Sequence, residues 1–272
     1  MINTKRVTLT FSKRCNMRCP FCYGYFNGKD LLDIKKYKEI ISKCQMFHIE
    51  TLNIAGGDPL MYRRIGEIVK YSKSLGLRTT MDTNCLLFDP IEHEDIIKSL
   101  DMISVPIDGC NAETHDRIRV YKGSFDKIIY SLNEITDISK EIEIRVNTVI
   151  VKDNCKQLLD MAELLNQYPV TYWHIYDFIP VGNGRFNKND FYIDYAEYES
   201  VILDIMSKKF RYSIEHNLPD RRKQEHLYIS SDGIVYSNSN NINEDYILGE
   251  NVLDYSGSNI LECLDKKWKN GN

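Results

Sequence analysis

The chain has 272 residues, of which 43% are hydrophobic and 27% are charged, with 35 basic and 39 acidic side chains. This composition is typical of a globular protein, and the nearly balanced charge argues against a nucleic-acid-binding surface as its main function. No apolar run approaches the roughly 20 residues that a membrane helix needs, and the first residues contain no signal-peptide core. We therefore expect a cytoplasmic protein whose partners include neither a membrane nor a nucleic acid polymer.

Strand-like and helix-like segments alternate along the first two thirds of the chain. Apolar periodicity predicts strands at 6–11, 51–55, 77–82, 102–107, 141–151 and 172–179. Helices are predicted between them at 34–44, 62–75, 90–100, 124–139 and 155–167. Strict alternation of this kind implies parallel strands that are joined by right-handed crossovers.

The repeats favour a partial (β/α)6 TIM barrel over an open doubly wound sheet. An open sheet usually has a phosphate loop, and neither G-x-G-x-x-G after the first strand nor G-x-x-x-x-G-K-[ST] occurs. A complete eight-unit barrel usually needs about 250 residues, whereas the sixth predicted strand already ends near residue 179. In both architectures ligands bind beyond the C-terminal ends of the strands, so we expect the functional residues there.

The pattern changes after residue 190. We expect a helix at 195–210, a polar connector at 219–223, a hairpin at 226–236 that turns at Ser231-Asp232-Gly233, and a loop at 237–243. The sequence therefore predicts a partial-barrel core at 1–190 and a small α+β C-terminal extension at 191–272.

Three of the eight cysteines, Cys15, Cys19 and Cys22, lie within eight residues, directly after the first predicted strand. In a reducing cytosol this grouping indicates metal or redox chemistry rather than disulfides. Three thiolates do not complete the shell of a structural zinc ion unless Cys44, His48 or a distant residue supplies the fourth ligand. On an iron-sulfur cube, three cysteines leave one iron open to an outside ligand.

The C-x3-C-x2-C triplet, with Phe21 before its last cysteine, resembles the signature of the radical SAM superfamily. The resemblance implies that the three cysteines hold a [4Fe-4S] cluster whose open iron binds the amino and carboxylate groups of S-adenosylmethionine. It further implies reductive cleavage of S-adenosylmethionine to a 5'-deoxyadenosyl radical, which abstracts a hydrogen atom from the substrate. An electron donor such as flavodoxin or ferredoxin is implied as a partner.

Segments at the later strand ends also resemble the family. Gly56-Gly57-Asp58-Pro59 is similar to its Gly-Gly-Glu-Pro segment, whose backbone and acid hold the methionine amino group. Glycines let a ligand approach the backbone, and a carboxylate suits an ammonium group. Because Asp is one methylene shorter than Glu, direct contact of Asp58 with the amino group is in doubt.

The remaining cofactor positions follow from the same resemblance, which spans residues 6–185. Asn84 lies where the family commonly shows Thr-Asn-Gly, and Ser104 and Arg119 are expected to contact the methionine carboxylate. Asn147 is expected at the ribose, where its amide would find partners, while Phe178 and Phe21 are expected to flank the adenine.

The C-terminal third bears on the substrate. The later cysteines form no C-x-x-C, so auxiliary clusters are not expected, which disfavours a molybdenum-cofactor cyclase. Segments 227–236 and 246–252 resemble the hairpins of peptide-maturase extensions without their cysteines. The favoured substrate is therefore a ribosomal peptide or another small-molecule, natural-product intermediate.

Two alternatives and one reaction type stay open. A viperin-like nucleotide dehydratase would need a triphosphate site, for which the candidates are Lys5, Lys13, Arg14, Arg185 and Lys188. A noncatalytic iron-sulfur redox module is the other alternative. If the reaction is an epimerisation, a thiol returns a hydrogen atom, and the candidate donors, each of which follows a predicted strand, are Cys85, Cys110 and Cys155.

Overall fold

The structure is a computed structural model, and it describes residues 5–24, 33–217, 227–238, 246–257 and 260. Its strands are β1 (Arg6–Ser12), β2 (Thr51–Gly56), β3 (Arg78–Asp82), β4 (Met102–Pro106), β5 (Glu143–Ile150), β6 (Tyr172–Asp177), β7 (Ser213–Asn217), β8 (Leu227–Ile229), β9 (Ile234–Asn238) and β10 (Tyr246–Asn251). Its α-helices are α1 (Ile34–Met46), α2 (Ile65–Ser74), α3 (Glu94–Ser99), α4 (Ala112–Arg119), α5 (Ser124–Ile138), α6 (Leu158–Leu165), α7 (Lys188–Phe191) and α8 (Glu199–Ser207).

The described strands form one sheet in the order β10-β9-β8-β1-β2-β3-β4-β5-β6-β7. Strands β1 to β6 follow one another in space as in sequence, and each pairs with the next in parallel. This arrangement confirms the predicted partial TIM-barrel architecture. Among the described helices, none is both long enough and apolar enough to cross a membrane.

The alternation of side chains along each strand separates a hydrophobic face from a polar one. Val7, Leu9 and Phe11 of β1 are fully buried in the main core, as are Ile144 and Val146 of β5. Because successive side chains of a strand point to opposite faces, the residues between them lie on the other face of the sheet. That second face, the inside of the partial barrel, is lined by polar side chains.

Helix α4 was not predicted, and several helices are shorter than expected. In α4 only Thr114, His115 and Ile118 are buried, so its apolar periodicity is weak. Its start is capped by Asn111, whose side chain accepts a hydrogen bond from the Thr114 amide at 3.0 Å. Helices α2, α3 and α8 begin at Ile65, Glu94 and Glu199, three or four residues after the predicted starts.

The C-terminal residues extend both flanks of the sheet. Strand β7 pairs in parallel with β6, and β8 pairs in parallel with β1 and antiparallel with β9, which confirms the predicted hairpin. Ser237 and Asn238 belong to β9 rather than to the predicted loop. The connector at 219–223, the rest of that loop and Cys263 lie outside the described residues. The domain boundary at residue 190 stays a prediction, since strands from both sides of it share the sheet.

Candidate functional site

The cysteine loop begins where β1 ends, and two backbone hydrogen bonds hold it against the end of β2. The Gly57 amide donates to Ser12 O at 2.7 Å, and the Asp58 amide donates to Arg14 O at 2.8 Å. A Cβ atom on Gly57 would lie 1.9 Å from Arg14 O. Gly57 therefore leaves room for the cysteine loop. Contact of Gly56 and Gly57 with the cofactor stays a prediction.

All three thiols of this loop are half-buried. The Cys22 amide donates to Cys19 O at 3.2 Å, and the Met17 amide lies 3.4 Å from Cys15 Sγ. Burial raises the pKa of Cys15 and Cys19, and it raises the pKa of Cys22 to about 12. The thiols are therefore protonated at neutral pH until a metal group displaces their protons.

A buried ion pair lies beside Cys19. Arg119, the last residue of α4, donates from Nε to Asp108 Oδ2 at 2.6 Å, and Asp108 follows β4 and is fully buried. The Arg119 Nη1 atom lies 3.9 Å from Cys19 Sγ, and its guanidinium lies 5.4 Å from the centre of the Phe21 ring. Arg119 thus lies beside the cysteine loop, and Asp108 already accepts a hydrogen bond from its Nε atom. Contact of Arg119 with the methionine carboxylate stays a prediction.

Asp58 binds groups of its own chain. Its carboxylate accepts hydrogen bonds from the Leu60 amide at 2.9 Å, the Asn84 amide at 2.7 Å and Thr83 Oγ1 at 3.0 Å. It is 1% exposed, and burial raises its pKa to about 6 despite these bonds. The carboxylate therefore ties the end of β2 to the end of β3, and contact with the methionine amino group stays a prediction. Pro59, which follows it, is buried in a short 3-10 turn.

Asn84 links the end of β3 to the cysteine loop. Its Nδ2 donates to Asn16 Oδ1 at 2.7 Å and lies 3.8 Å from Cys15 Sγ. Its own Oδ1 accepts from the Leu86 amide at 3.0 Å. The ends of β1, β2 and β3 are therefore joined at one edge of the sheet, as expected for parallel strands.

Two of the predicted cofactor contacts have unsatisfied polar atoms. Ser104 Oγ and Asn147 Oδ1 are buried, and neither has a hydrogen-bond partner among the described residues. Such atoms are costly unless a ligand or water completes them, so both suit the predicted roles. Phe21 and Phe178 belong to a small buried cluster with Ile118, which leaves their proximity to adenine a prediction.

The loop after β6 closes over the cysteine loop. The Gly184 amide donates to Cys22 O at 3.0 Å, and Asn187 Nδ2 donates to Pro20 O at 2.9 Å. A Cβ atom on Gly184 would lie 3.1 Å from Phe21 O of the cysteine loop, so the close approach of these two loops depends on that glycine.

Each of the three candidate hydrogen donors contacts a group outside the cysteine loop. The Cys85 thiol is buried in the core beside Ser131 of α5, and burial raises its pKa. Cys110 Sγ lies 3.3 Å from Gln157 Oε1, and Cys155 Sγ lies 3.3 Å from Lys152 O. Within the described ranges, no hydrogen bond joins any of these thiols to the cysteine loop, so their role as donors stays a prediction.

The candidate triphosphate residues do not all lie at the same end of the strands. Lys5 pairs with Glu50 before β1 begins, whereas Lys13 follows β1 and lies 3.4 Å from Asp232. Lys188 lies over the ring of Tyr192. Lys5 and Lys13 are thus at opposite ends of one strand and cannot bind the same triphosphate.

The donor set fits an iron-sulfur cluster better than a single ion. Among the described residues, no group of three His, Cys, Asp or Glu side chains is placed to hold one metal ion. Cys44, a candidate fourth zinc ligand, is fully buried in the core. A cube binds each thiolate at a different iron, so the cysteines need not converge on one point. The half-buried thiols and the unsatisfied Ser104 and Asn147 therefore fit the expected groups.

Sequence reasoning did not assign Asp108 a role. It lies in the Ile107-Asp108-Gly109 segment, directly after β4, where parallel-strand folds place functional residues. Its second oxygen accepts from the Val149 amide at 2.9 Å, so it joins the ends of β4 and β5 to Arg119. The sequence signal that could have identified Asp108 is an acidic residue directly after a predicted strand.

The family model described as Radical SAM superfamily matches residues 9–165. An AdoMet-dependent heme synthase of Nitratidesulfovibrio vulgaris is 28% identical over 205 residues, which cover 73% of this chain and 54% of that protein. A probable GTP 3',8-cyclase of Saccharolobus islandicus is 29% identical over 209 residues, which cover 75% of this chain and 66% of that protein. The chain thus spans about half to two thirds of these relatives.

Solved structures share the fold at low sequence identity. Streptococcus suis SuiB bound to precursor peptide SuiA matches with a TM-score of 0.76 and 13% identity, over 100% of this chain and 67% of that chain. Native anSMEcpe with bound AdoMet and Cp18Cys peptide matches with a TM-score of 0.73 and 12% identity, over 96% of this chain and 79% of that chain.

Proposed function

The chain belongs to the radical SAM superfamily, and from this premise we propose that it is an enzyme that modifies a peptide or a natural-product intermediate. The superfamily consists of enzymes that use a [4Fe-4S] cluster and S-adenosylmethionine. When bound, these groups supply a 5'-deoxyadenosyl radical that abstracts a hydrogen atom from the substrate. The observation that supports this function most directly is the Cys15, Cys19 and Cys22 loop at the C-terminal end of β1, beside the ends of β2 and β3.

The residues of the chain would bind and orient the two groups. Cys15, Cys19 and Cys22 would hold the cluster, and the Arg119 guanidinium would place positive charge beside Cys19. Ser104 Oγ and Asn147 Oδ1 have unsatisfied hydrogen-bonding capacity that S-adenosylmethionine would complete. The loop after β6, which bonds to Cys22 O, would restrict water on that side.

A peptide substrate is supported by the solved neighbours. SuiB and anSMEcpe, whose fold this chain shares over nearly its whole length, were crystallised with peptides. The reducing electron would come from a donor such as flavodoxin or ferredoxin. Cytoplasmic location remains our expectation from the sequence.

The two alternatives receive less support. A nucleotide dehydratase that used all of the predicted basic residues would need them together, and Lys5 lies at the opposite end of β1 from Lys13. A noncatalytic redox module would not need buried acceptors such as Asn147 Oδ1, which has no hydrogen-bond partner among the described residues. We therefore favour the catalytic interpretation.

The test is production of 5'-deoxyadenosine by the full chain. The cluster is reconstituted without oxygen and quantified as iron per chain, and S-adenosylmethionine and dithionite are then added. The wild type should form 5'-deoxyadenosine, whereas Cys15→Ala, Cys19→Ala and Cys22→Ala should lose both cluster and product. Cys44→Ala, which removes a buried core thiol, is the matched control and should keep both. A wild-type chain with a full cluster and no 5'-deoxyadenosine would contradict the proposal.

A further inference from the structure

Residues 182–192, which we call the covering segment, lie with one side on the cysteine loop. The segment begins with the 3-10 helix Gly182–Asn187, which has three residues per turn. Gly184, through its amide, and Asn187, through its side chain, donate hydrogen bonds to two carbonyls of the cysteine loop at 3.0 and 2.9 Å. Arg185 and Phe186 lie between these two contacts, and both are exposed. They therefore form part of the outer surface directly above the cysteine loop.

Phe186 is an exposed aromatic residue on this surface. Its side chain is 77% exposed, although phenylalanine is among the residues that folding most often buries. The helix that follows is fixed in place, because the ring of Phe191 lies 5.8 Å from the ring of Phe21 in the cysteine loop. Exposed aromatic rings are enriched in the contact surfaces of proteins that bind other proteins. Phe186 is therefore a candidate apolar contact for a partner protein.

Four cationic side chains are exposed on the same part of the surface. They belong to the cysteine loop, to the residues after β5 and to the covering segment, and they are Arg18, Lys152, Arg185 and Lys188. Arg18 Nη1 donates to Met17 O at 2.8 Å, which holds this guanidinium on the cysteine loop. Lys152 Nζ donates to Asn189 O at 2.6 Å, which joins this lysine to the covering segment. We call these four side chains and Phe186 the basic patch.

Few acidic side chains balance the charge of the basic patch. The cysteine loop, residues 13–24, contains no acidic residue, and the covering segment contains only Asp190. Asp153, which follows Lys152, pairs with Arg117 at 2.9 Å. The chain as a whole carries a formal charge of −4, so the sign of the patch is opposite to that of the molecule. A positive patch of this kind attracts and orients an acidic partner.

The basic patch also lies close to the cysteines that would hold the cluster. The covering segment lies directly against Cys22, whose carbonyl accepts from the Gly184 amide. The thiols of Cys19 and Cys22 are half-buried beneath it. The rate of electron transfer falls steeply with distance, so an electron donor must bind where little protein separates its redox group from the cluster. The basic patch meets this condition.

We propose that the basic patch binds a small acidic flavoprotein that reduces the cluster. The four cations would face the acidic side chains of the partner, and the aromatic edge of its flavin would contact Phe186. An iron-sulfur donor has no such ring, so Phe186 favours the flavoprotein. The reduced flavin loses one electron and the cluster gains it, while no bond forms or breaks. This inference rests on the proposed function, since it names the partner that the same site needs.

The surface is of the size that such a partner requires. Proteins that exchange electrons form small and short-lived interfaces, typically below about 1,200 Å² in total. An exposed aromatic centre with charges around it suits an interface of this kind, because charges raise the rate of encounter and the apolar contact limits dissociation.

Equilibrium binding of a probe protein tests the inference on the cluster-loaded full chain. The probe is a recombinant bacterial flavodoxin with oxidised FMN, whose flavin fluorescence reports binding, and no S-adenosylmethionine or reductant is present. We expect saturable binding that weakens as the salt concentration rises, because salt screens exposed charges. A polyglutamate peptide, which has the acidic charge but no flavin, is titrated in parallel and should bind more weakly.

Substitutions in the basic patch locate the binding surface. Arg185→Gln and Lys188→Gln should each weaken flavodoxin binding about threefold, and Phe186→Ala should weaken it about tenfold, as expected for rim charges and an aromatic contact. Lys98→Gln removes an equal charge, and Met46→Ala removes a side chain that is 64% exposed. These two residues lie near the opposite ends of the strands, and both control variants should bind as the wild type does. All five variants should keep the wild-type iron content.

Stopped-flow reduction of the cluster adds a kinetic measurement. Flavodoxin that has been reduced beforehand is mixed with the chain in the absence of S-adenosylmethionine. At subsaturating flavodoxin, Phe186→Ala should slow reduction about tenfold, in proportion to its loss of binding. Reduction of the same variant by dithionite, which is small enough to need no docking surface, should keep the wild-type rate.

Three results overturn the inference. Flavodoxin shows no saturable, salt-dependent binding to the wild type; or the patch variants bind it as tightly as Lys98→Gln and Met46→Ala do; or only polyglutamate binds in a patch-dependent way, which assigns the surface to an acidic peptide. None of these results depends on cleavage of S-adenosylmethionine. Conversely, a chain that binds flavodoxin at the patch but forms no 5'-deoxyadenosine with dithionite counts against the proposed function alone.

Discussion

The Nε atom of Arg119 lies 2.6 Å from the Oδ2 atom of Asp108, and this pair joins the end of α4 to the end of β4 beside Cys19. Asp108 has no solvent exposure, and Arg119 has little. The pair therefore determines where the guanidinium lies relative to the cluster loop, and several consequences can be measured.

Removal of Arg119 should destabilise the fold. In Arg119→Gln the buried Asp108 loses its charged partner, and we expect the free energy of unfolding to fall by about 3 to 5 kcal/mol. Urea-induced unfolding under anaerobic conditions measures the change. In Arg117→Gln, whose pair with Asp153 is exposed, the loss should be below about 1 kcal/mol. Equal losses in the two variants would contradict a stabilising role for the buried pair.

Substitution of Gly57 should prevent assembly of the cysteine loop. In Gly57→Ala the new Cβ atom would lie 1.9 Å from Arg14 O, so the backbone that precedes Cys15 must move. We expect a large loss of iron per chain after reconstitution, measured by iron analysis and visible absorbance. Gly66→Ala in α2, whose Cβ atom would lie 3.4 Å from the Ile96 side chain, should retain the wild-type iron content. Full iron loading of Gly57→Ala would show that the loop tolerates the shift.

Asp58 should make stability depend on pH. Its pKa is about 6 in the folded chain against an ordinary value of 3.8, so the folded chain keeps this proton to higher pH than the unfolded chain does. The contribution is therefore fully present below 3.8 and is lost as the pH rises through about 6, by up to about 3 kcal/mol.

Comparison with Asp58→Asn isolates this contribution. The variant loses hydrogen bonds at every pH, which adds a constant difference, but it has no proton to release. The free energy of unfolding of the wild type minus that of Asp58→Asn should decrease across this pH range. A difference that stays level or increases with pH would mean that the pKa of Asp58 is not raised.

Val120 has a backbone conformation that is unfavourable for a valine. It ends α4 directly after Arg119 with φ of 54°, a left-handed conformation that is unfavourable for a β-branched residue. Its side chain is 69% exposed, so a substitution there removes little packing. Val120→Asn should raise the free energy of unfolding by about 1 kcal/mol, measured by urea-induced unfolding. A decrease would show that the valine side chain contributes more than the strain costs.

Much of the site could be predicted because its signals are local. The triplet of Cys15, Cys19 and Cys22 lies in one loop, so its spacing alone indicates a cluster with an open iron. Strict strand-helix alternation predicts a parallel sheet, whose C-terminal strand ends lie at one edge, and there the structure joins Asn84 and Asp58 to the cysteine loop. Helix α4 was not predicted because its buried face includes the polar residues Thr114 and His115, which weaken the apolar periodicity.

Other features depend on contacts between distant parts of the chain. The sequence by itself determined the candidate cluster cysteines, the alternating elements and the family resemblance, because each of these depends on the spacing of residues that are close in sequence. Only the tertiary structure brought Arg6 and Arg145 to one cavity, bonded Arg119 to Asp108 and directed the Cys85 thiol toward Ser131 of α5. Strand register and barrel curvature decide those neighbours, and both arise from packing of the whole sheet rather than from any single segment.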